Sequence, residues 1–213
     1  MKIALVAGST GLIGGQLLEL LLRDGGYSKI IAVSRKNLTI THPKLINIVC
    51  KLSELSSHRE ELKADDVFCC LGTTMKVAKS KEAFRAVDFD APLALAKISN
   101  ENGARTFLLV SALGANKSSS IFYNQVKGEA EQSIQQIGFN ACHIFRPSLL
   151  MGPRKEQRSG EEAAIVFYKI FGWLIPKKYL AIESIKVAKA MLSFAKLEQS
   201  GFFIHESNEI QNF

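Results

Sequence analysis

The chain has 213 residues, 47% apolar and 22% charged, with five prolines, fifteen glycines and a net charge of +7. That composition excludes a disordered, collagen-like or coiled-coil protein, and the length excludes a large separate substrate domain. The positive charge suits nucleic acid, an anionic membrane, a phosphorylated small molecule or plain surface lysine. No block of five like charges and no RNA-reading motif occurs, which weighs against nucleic acid.

Strand and helix signals alternate along the chain. Lys2–Ala7 is a short apolar run ending at glycine and reads as a buried strand. Leu12–Leu22 is apolar on nearly every helical face, so a largely buried helix is expected. Lys29–Val33, Leu45–Val49 and Asp66–Leu71 read as strands two to four. Helical patterns cover about 79–87 and Ala91–Asn102, with Gly103 as a stop signal. Arg105–Val110 is the fifth strand, Ile121–Gln136 a helix ended by Gly138, and Ala141–Phe145 the sixth strand. A polar loop (152–160), an apolar helix (161–173), a second helix (about 183–197) and a short apolar stretch, Phe202–His205, follow. The tail from Ser207 to Phe213 is polar and expected to fray.

This alternation predicts an α/β fold: a Rossmann-type, doubly wound parallel sheet in the order 3-2-1-4-5-6, with room for a seventh strand. The expected organisation is one domain, 1–213, with a small helical cap on the substrate side at about 151–200. Met1–Gly8 is too short for a signal peptide. The apolar stretch 163–176 is interrupted by Lys169 and falls short of the about 20 apolar residues a spanning helix needs. It reads as a buried or interface-forming helix, with a membrane-surface role as the alternative. Cys50, Cys69, Cys70 and Cys142 form no C-x-x-C pair and are expected as buried, reduced thiols in a cytoplasmic protein.

The chemistry concentrates in three places. The first is Gly8-Ser9-Thr10-Gly11-Leu12-Ile13-Gly14, directly between strand and helix. Glycines spaced by three permit a tight turn, close approach of backbone N–H groups to a pyrophosphate, and close helix–sheet packing. The second is the end of strand two. An NAD site usually carries an acid there for the ribose 2′-hydroxyl. Ser34-Arg35-Lys36 stands there instead, a hydroxyl, a planar fork and a point charge suited to a 2′-phosphate. NADP(H) is therefore the expected cofactor. The third is Tyr123-Asn124-Gln125-Val126-Lys127. Residues at i and i+4 share a helix face, and a nearby ammonium lowers the pKa of a phenol so that it can exchange a proton with a substrate oxygen. Ser111, at the end of strand five, is the candidate to orient that oxygen, with Ser118, Ser119 and Ser120 as alternatives.

These motifs resemble the atypical branch of the short-chain dehydrogenase/reductase superfamily, and more narrowly its Tat-interacting-protein-like oxidoreductase group, which neighbours the NmrA-like regulators. Cys69-Cys70-Leu71-Gly72-Thr73-Thr74, Val87-Asp88, Ser111-Ala112-Leu113-Gly114-Ala115, Gly128-Glu129 and Arg146-Pro147-Ser148 carry the likeness further, as do Arg154, Arg158, Gly160 and Glu161. The resemblance implies that Ser9 to Ile13 contact the pyrophosphate, Arg35 the 2′-phosphate, and Leu71 and Gly72 the adenine-side ribose and pyrophosphate. It implies Tyr123 as proton donor or acceptor, Lys127 as ribose ligand, and Pro147, Ser148 and Leu149 beside the nicotinamide. Two positions depart from the pattern. Lys51 stands where relatives often place an adenine-contacting acid, and Ala112 replaces a second hydroxyl beside Ser111.

The expected activity is hydride transfer between NADPH and a small carbonyl or alcohol. The alternative is a catalytically weak, NADPH-sensing regulatory or protein-binding module. A small-molecule substrate and no nucleic acid are expected as partners, with a homodimer or a regulatory protein left open. Arg154, Lys155 and Arg158 read as contacts to an anionic substrate, a lid tether or solvated charge. Phe167, Phe171 and Trp173 read as packing residues. His42, His58, His143 and His205 lack metal-ligand spacing, and His143, inside a strand, is expected to be structural.

Overall fold

The computed structural model describes residues 1–152, 176–197 and 199–213. The chain alternates β1 (Lys2–Ala7), α1 (Leu12–Arg23), β2 (Tyr27–Ser34), β3 (Leu45–Val49), a 3-10 segment (Leu52–Leu62), β4 (Asp66–Cys69), α2 (Met75–Ala78), α3 (Lys81–Arg85), a π turn (Ala86–Asp90), α4 (Ala91–Glu101), β5 (Thr106–Val110), α5 (Phe122–Gln135) and β6 (Ala141–Arg146). Then come β7 (Leu150–Met151), β8 (Ile182–Glu183), α6 (Ser184–Ala195), β9 (Gly201–Glu206) and α7 (Ser207–Ile210). Seven strands form one parallel sheet in the order β3-β2-β1-β4-β5-β6-β9, and β7 pairs with β8 in a separate two-stranded ribbon. The expected sheet order holds, and the seventh strand is β9.

The inner strands β1, β2, β4, β5 and β6 are buried on both faces, which is why they read as continuous apolar runs rather than alternating ones. Side chains still alternate. Leu5, Ile31, Val67, Phe107 and Ile144 point to one side, where Leu95 of α4 and Ile134 of α5 cover them. Ala4, Val6, Ile30, Phe68, Leu108 and Phe145 point to the other, against Leu17 and Leu21 of α1 and Val187 and Met191 of α6. Within the 151–200 stretch expected as a cap, α6 thus belongs to the main layer, beside α1. The expected helix 161–173, with Arg154, Lys155, Arg158, Gly160, Glu161, Phe167, Phe171 and Trp173, lies outside the described residues.

Three local expectations change. Lys79 does not open a helix; it closes α2 in the left-handed conformation (φ 66°), and Ser80 caps α3 by accepting from the Ala83 N–H. The two helical patterns at 79–87 and 91–102 are joined by the π turn into one run. The tail does not fray: Ile210 is fully buried, and the Phe213 ring stands 5.4 Å from that of Phe194.

All four cysteines are free. His143 is structural, as expected: it is fully buried, its Nδ1 lies 3.0 Å from His205 Nε2, and His205 Nδ1 lies 3.1 Å from Glu209. Burial, then the neighbouring His205, pushes His143 down to about 4; burial also lowers His205, against the opposing pull of Glu209. A histidine depressed in the folded state binds its proton first in the unfolded chain. Stability from this pair is therefore complete above the ordinary histidine value and falls as pH drops from about 6.5 toward 4. The loss expected for His143 is roughly 3 kcal/mol, at about 1.4 kcal/mol per pH unit. Thermal melts across that range should steepen for the wild type and flatten for His143→Phe; parallel curves would exclude the pair as an acid-sensitive element.

Candidate active site

The glycine-rich turn is built as its spacing requires. Gly8 leaves β1 with φ +87°, a conformation unfavourable to residues with a Cβ, and a Cβ there would stand 2.5 Å from the Cys70 carbonyl oxygen. A Cβ on Gly14 would fall well inside 3 Å of the Gly8 carbonyl, so α1 can lie this close to β1 only with glycine at 14. The Gly11 N–H closes the turn on Gly8 O at 2.9 Å. Gly11 is also the N-cap of α1 and offers no side-chain acceptor to the first-turn amides, which leaves them for an anion. Ser9 Oγ is buried without a hydrogen-bond partner among the described residues. Gly14→Ala should cost roughly 1–3 kcal/mol, the usual range for overpacking, and abolish dinucleotide binding. A calorimetric melt and a cofactor titration on that variant check this; unchanged binding would show that the turn is not the phosphate cradle.

From this turn runs a cleft of about 330 Å³. Gly8, Thr10 and Gly11 form one end, and Ser34 and Arg35, at the end of β2, border it. Leu71, Gly72 and Thr73, following β4, line it as well. Leu52, Val77 and Val87 give the cleft an apolar part. Arg35 is exposed, and no described residue pairs with its guanidinium. Ser34 is committed otherwise: its hydroxyl donates to the Lys36 carbonyl at 2.7 Å and accepts from Asn47 Nδ2 at 2.8 Å. Ser34 thus shapes the turn that presents Arg35. The Lys36 side chain is exposed and does not line the cleft.

Tyr123 lies in the first turn of α5, half-buried, its ring 5.5 Å from that of Phe84. Lys127, one turn on, is buried, and its Nζ meets Asp88 Oδ1 at 2.7 Å. A Cβ placed on Gly72 would stand 3.4 Å from Asp88 Oδ1 and 3.6 Å from Lys127 Nζ, so this ion pair sits directly behind the cleft wall. Burial alone would push the Lys127 ammonium down; Asp88 and Tyr123 outweigh it and hold Lys127 above the usual lysine value.

Ser111 is placed differently from the role expected of it. Its hydroxyl donates to Glu131, which Arg146 grips with a fork, Nε at 3.0 Å and Nη2 at 2.5 Å. Arg146 also reaches Glu206 at 3.3 Å. Ser148 likewise donates to the Leu180 carbonyl and accepts from Ser207 at 2.9 Å. Pro147 is buried and its carbonyl accepts from the Leu113 N–H; the Leu149 carbonyl accepts from the Ile182 N–H. Pro147 to Leu149 therefore run beside the β5–α5 loop, with their polar groups used in the fold. Val87-Asp88 enters the sequence reading only as part of the family likeness, with no role assigned, and Glu131, Leu52 and Val77 have none. Only Glu131, eight residues after Tyr123 and so on the same stripe of α5, carried a positional signal. No cluster of three metal-ligating side chains occurs among the described residues, and none of their helices is long and apolar enough to cross a membrane.

Residues 4–170 match the family model described as the NAD dependent epimerase/dehydratase family. The chain belongs to that family. Within it, the chain is 35% identical over 199 residues to Protein HTATIP2 of Rattus norvegicus, covering 90% of this chain and 80% of the relative. It is 37% identical over 158 residues to Protein FMP52-1, mitochondrial, of Scheffersomyces stipitis, covering 73% and 70%. These relatives place it in the Tat-interacting-protein-like group of atypical short-chain dehydrogenases, as its motifs implied. The Bordetella bronchiseptica enzyme WbmH in complex with NAD+ has the same fold, with a TM-score of 0.74 over 97% of this chain and 76% of that one at 15% identity. The architecture is thus an NAD(P)-binding Rossmann fold of the oxidoreductase type. One expectation falls: the fungal FMP52 relatives, including those of Coccidioides immitis and Candida albicans, are mitochondrial by name. That conflicts with the cytoplasmic location inferred from reduced cysteines, because free thiols do not distinguish one reducing compartment from another.

Proposed function

We propose that the chain is an NADP(H)-dependent oxidoreductase acting on a small carbonyl or alcohol. The supporting observation is Arg35, exposed and without a partner among the described residues, bordering a cleft lined by Gly8, Thr10 and Gly11 and backed by Lys127 behind Gly72. The cradle of Gly8, Gly11 and Gly14, the orphaned Ser9 hydroxyl and the uncapped start of α1 all fit a pyrophosphate. Ser9 to Ile13 would hold it, Arg35 the 2′-phosphate, Leu71 and Gly72 the adenine-side ribose, and Lys127 the nicotinamide-side ribose. Pro147, Ser148 and Leu149 would shield the nicotinamide end. A bound nicotinamide dinucleotide supplies or accepts the hydride.

The chain's own part is the proton. Tyr123 gives its phenolic proton to the substrate oxygen during reduction and takes it back during oxidation. Lys127, kept protonated, stabilises the phenolate that results. Screening aldehydes and ketones with NADPH, comparing wild type with Tyr123→Phe, tests the proposal; NADPH oxidation that does not depend on Tyr123 would refute its role.

A second reading has its own support. Ser111 is bound to Glu131 and Ala112 has no hydroxyl, so neither residue offers a free hydroxyl to a substrate. A weakly catalytic, NADPH-sensing module fits that arrangement. Tight NADPH binding without turnover across the carbonyl panel would select it.

A further inference from the structure

Asp88 lies on the π turn between α3 and α4. Such turns are rare inside helical runs and recur at functional sites. Its carboxylate is fully buried, with Oδ1 held by an ion pair rather than a hydrogen bond and Oδ2 hydrogen-bonded. Oδ1 meets Lys127 Nζ at 2.7 Å, and Oδ2 accepts the Thr73 N–H at 2.8 Å. Thr73 and Val87, the neighbour of Asp88, both line the cleft. One anion therefore joins α5, through Lys127, to the cleft wall, through Thr73.

An ion pair at this depth is a weak means of stabilising a fold. Two apolar side chains of similar size generally serve as well or better, because both charges must be stripped of water. The pair is better explained by what Lys127 does. We infer that Asp88 is a positioning residue for the Tyr123–Lys127 couple: it fixes the Lys127 ammonium behind Gly72 and ties it to the backbone of the cofactor cleft. The inference rests on the reading of Tyr123 and Lys127 as the proton-transferring pair.

The geometry has a consequence for titration. The groups bearing on Lys127 are Asp88 from the π turn, Tyr123 from its own helix and Cys69 from β4. Burial holds the Cys69 thiol up to about 12, so it is neutral at working pH and Asp88 is the fixed anion. Removing that anion disfavours the protonated state of Lys127, which then gives up its proton at lower pH.

The test is an NMR titration of the intact protein carrying carbon-13 labels in tyrosine and lysine side chains, with Tyr123→Phe and Lys127→Met assigning the two signals. In Asp88→Asn, the Lys127 titration is expected at least about one pH unit below its wild-type position, a tenfold change in proton affinity. An unmoved or upward-moved titration overturns the inference. A double variant, Asp88→Asn with Lys127→Met, removes both charges and guards against misfolding of the single one. It should melt like the wild type yet bind NADPH at least tenfold more weakly; wild-type affinity in the double variant would reduce the pair to a structural role. Failure of the wild type itself to bind NADPH would overturn the functional reading, while the titrations would still decide whether Asp88 governs the couple.

Discussion

Replacing Tyr123 by phenylalanine is expected to lower kcat by about a hundred- to ten-thousand-fold, the usual contribution of a positioned general acid, while leaving NADPH affinity within about twofold, a change below roughly 0.5 kcal/mol. The ring of Tyr123 packs on Phe84, and phenylalanine keeps that contact, so fold and cleft survive. Only the proton is lost. Lys127→Met should differ in kind. It leaves Asp88 buried without its counter-ion, which destabilises the protein, and it weakens cofactor binding as well as turnover. Steady-state kinetics with a parallel NADPH titration separate the two patterns. Equal kcat in Tyr123→Phe and wild type would remove Tyr123 from the chemistry.

The second large effect belongs to Arg35. A charge-assisted, forked contact to a phosphate contributes about 1.5–3 kcal/mol, so Arg35→Ala should weaken NADPH binding by roughly 10- to 100-fold. NADH has no 2′-phosphate and should bind nearly as before. Arg35→Lys should recover only part of the loss, because an ammonium is a point charge without the planar fork. The Arg35 contribution should also shrink as salt rises, since the guanidinium is exposed. Fluorescence titrations with both cofactors at two ionic strengths provide the comparison. A matched loss for NADH and NADPH would place Arg35 outside the 2′-phosphate contact.

What was legible in the sequence was whatever local pattern determines. Strands buried on both faces must be apolar throughout, so Lys2–Ala7 and Arg105–Val110 announced themselves. Gly8, Gly11 and Gly14 announced a turn that only residues without a Cβ can make. The i, i+4 spacing of Tyr123 and Lys127 placed both on one helix face. What was not legible depends on partners distant along the chain. Ser111 and Ser34 both read as available hydroxyls, yet Glu131 holds the first and Lys36 and Asn47 the second, and no local spacing marks such pairings. Val87-Asp88 stood out as part of the family likeness, but the role of Asp88 was hidden by the π turn, which breaks the 3.6-residue period and makes one helical run look like two. The 3-10 segment Leu52–Leu62 buries only Leu55 and Leu62, too few apolar positions to give a periodic signal. The tail looked polar because the two residues that anchor it, Ile210 and Phe213, are spaced among polar ones.

The measurement that bears most directly on the account is an equilibrium titration of the wild-type protein with NADPH and with NADH at one ionic strength. If Arg35 reads the 2′-phosphate over the Gly8–Gly14 cradle, NADPH binds at least about tenfold more tightly, a difference of roughly 1.4 kcal/mol. Equal or tighter binding of NADH, or no binding of either, would contradict it.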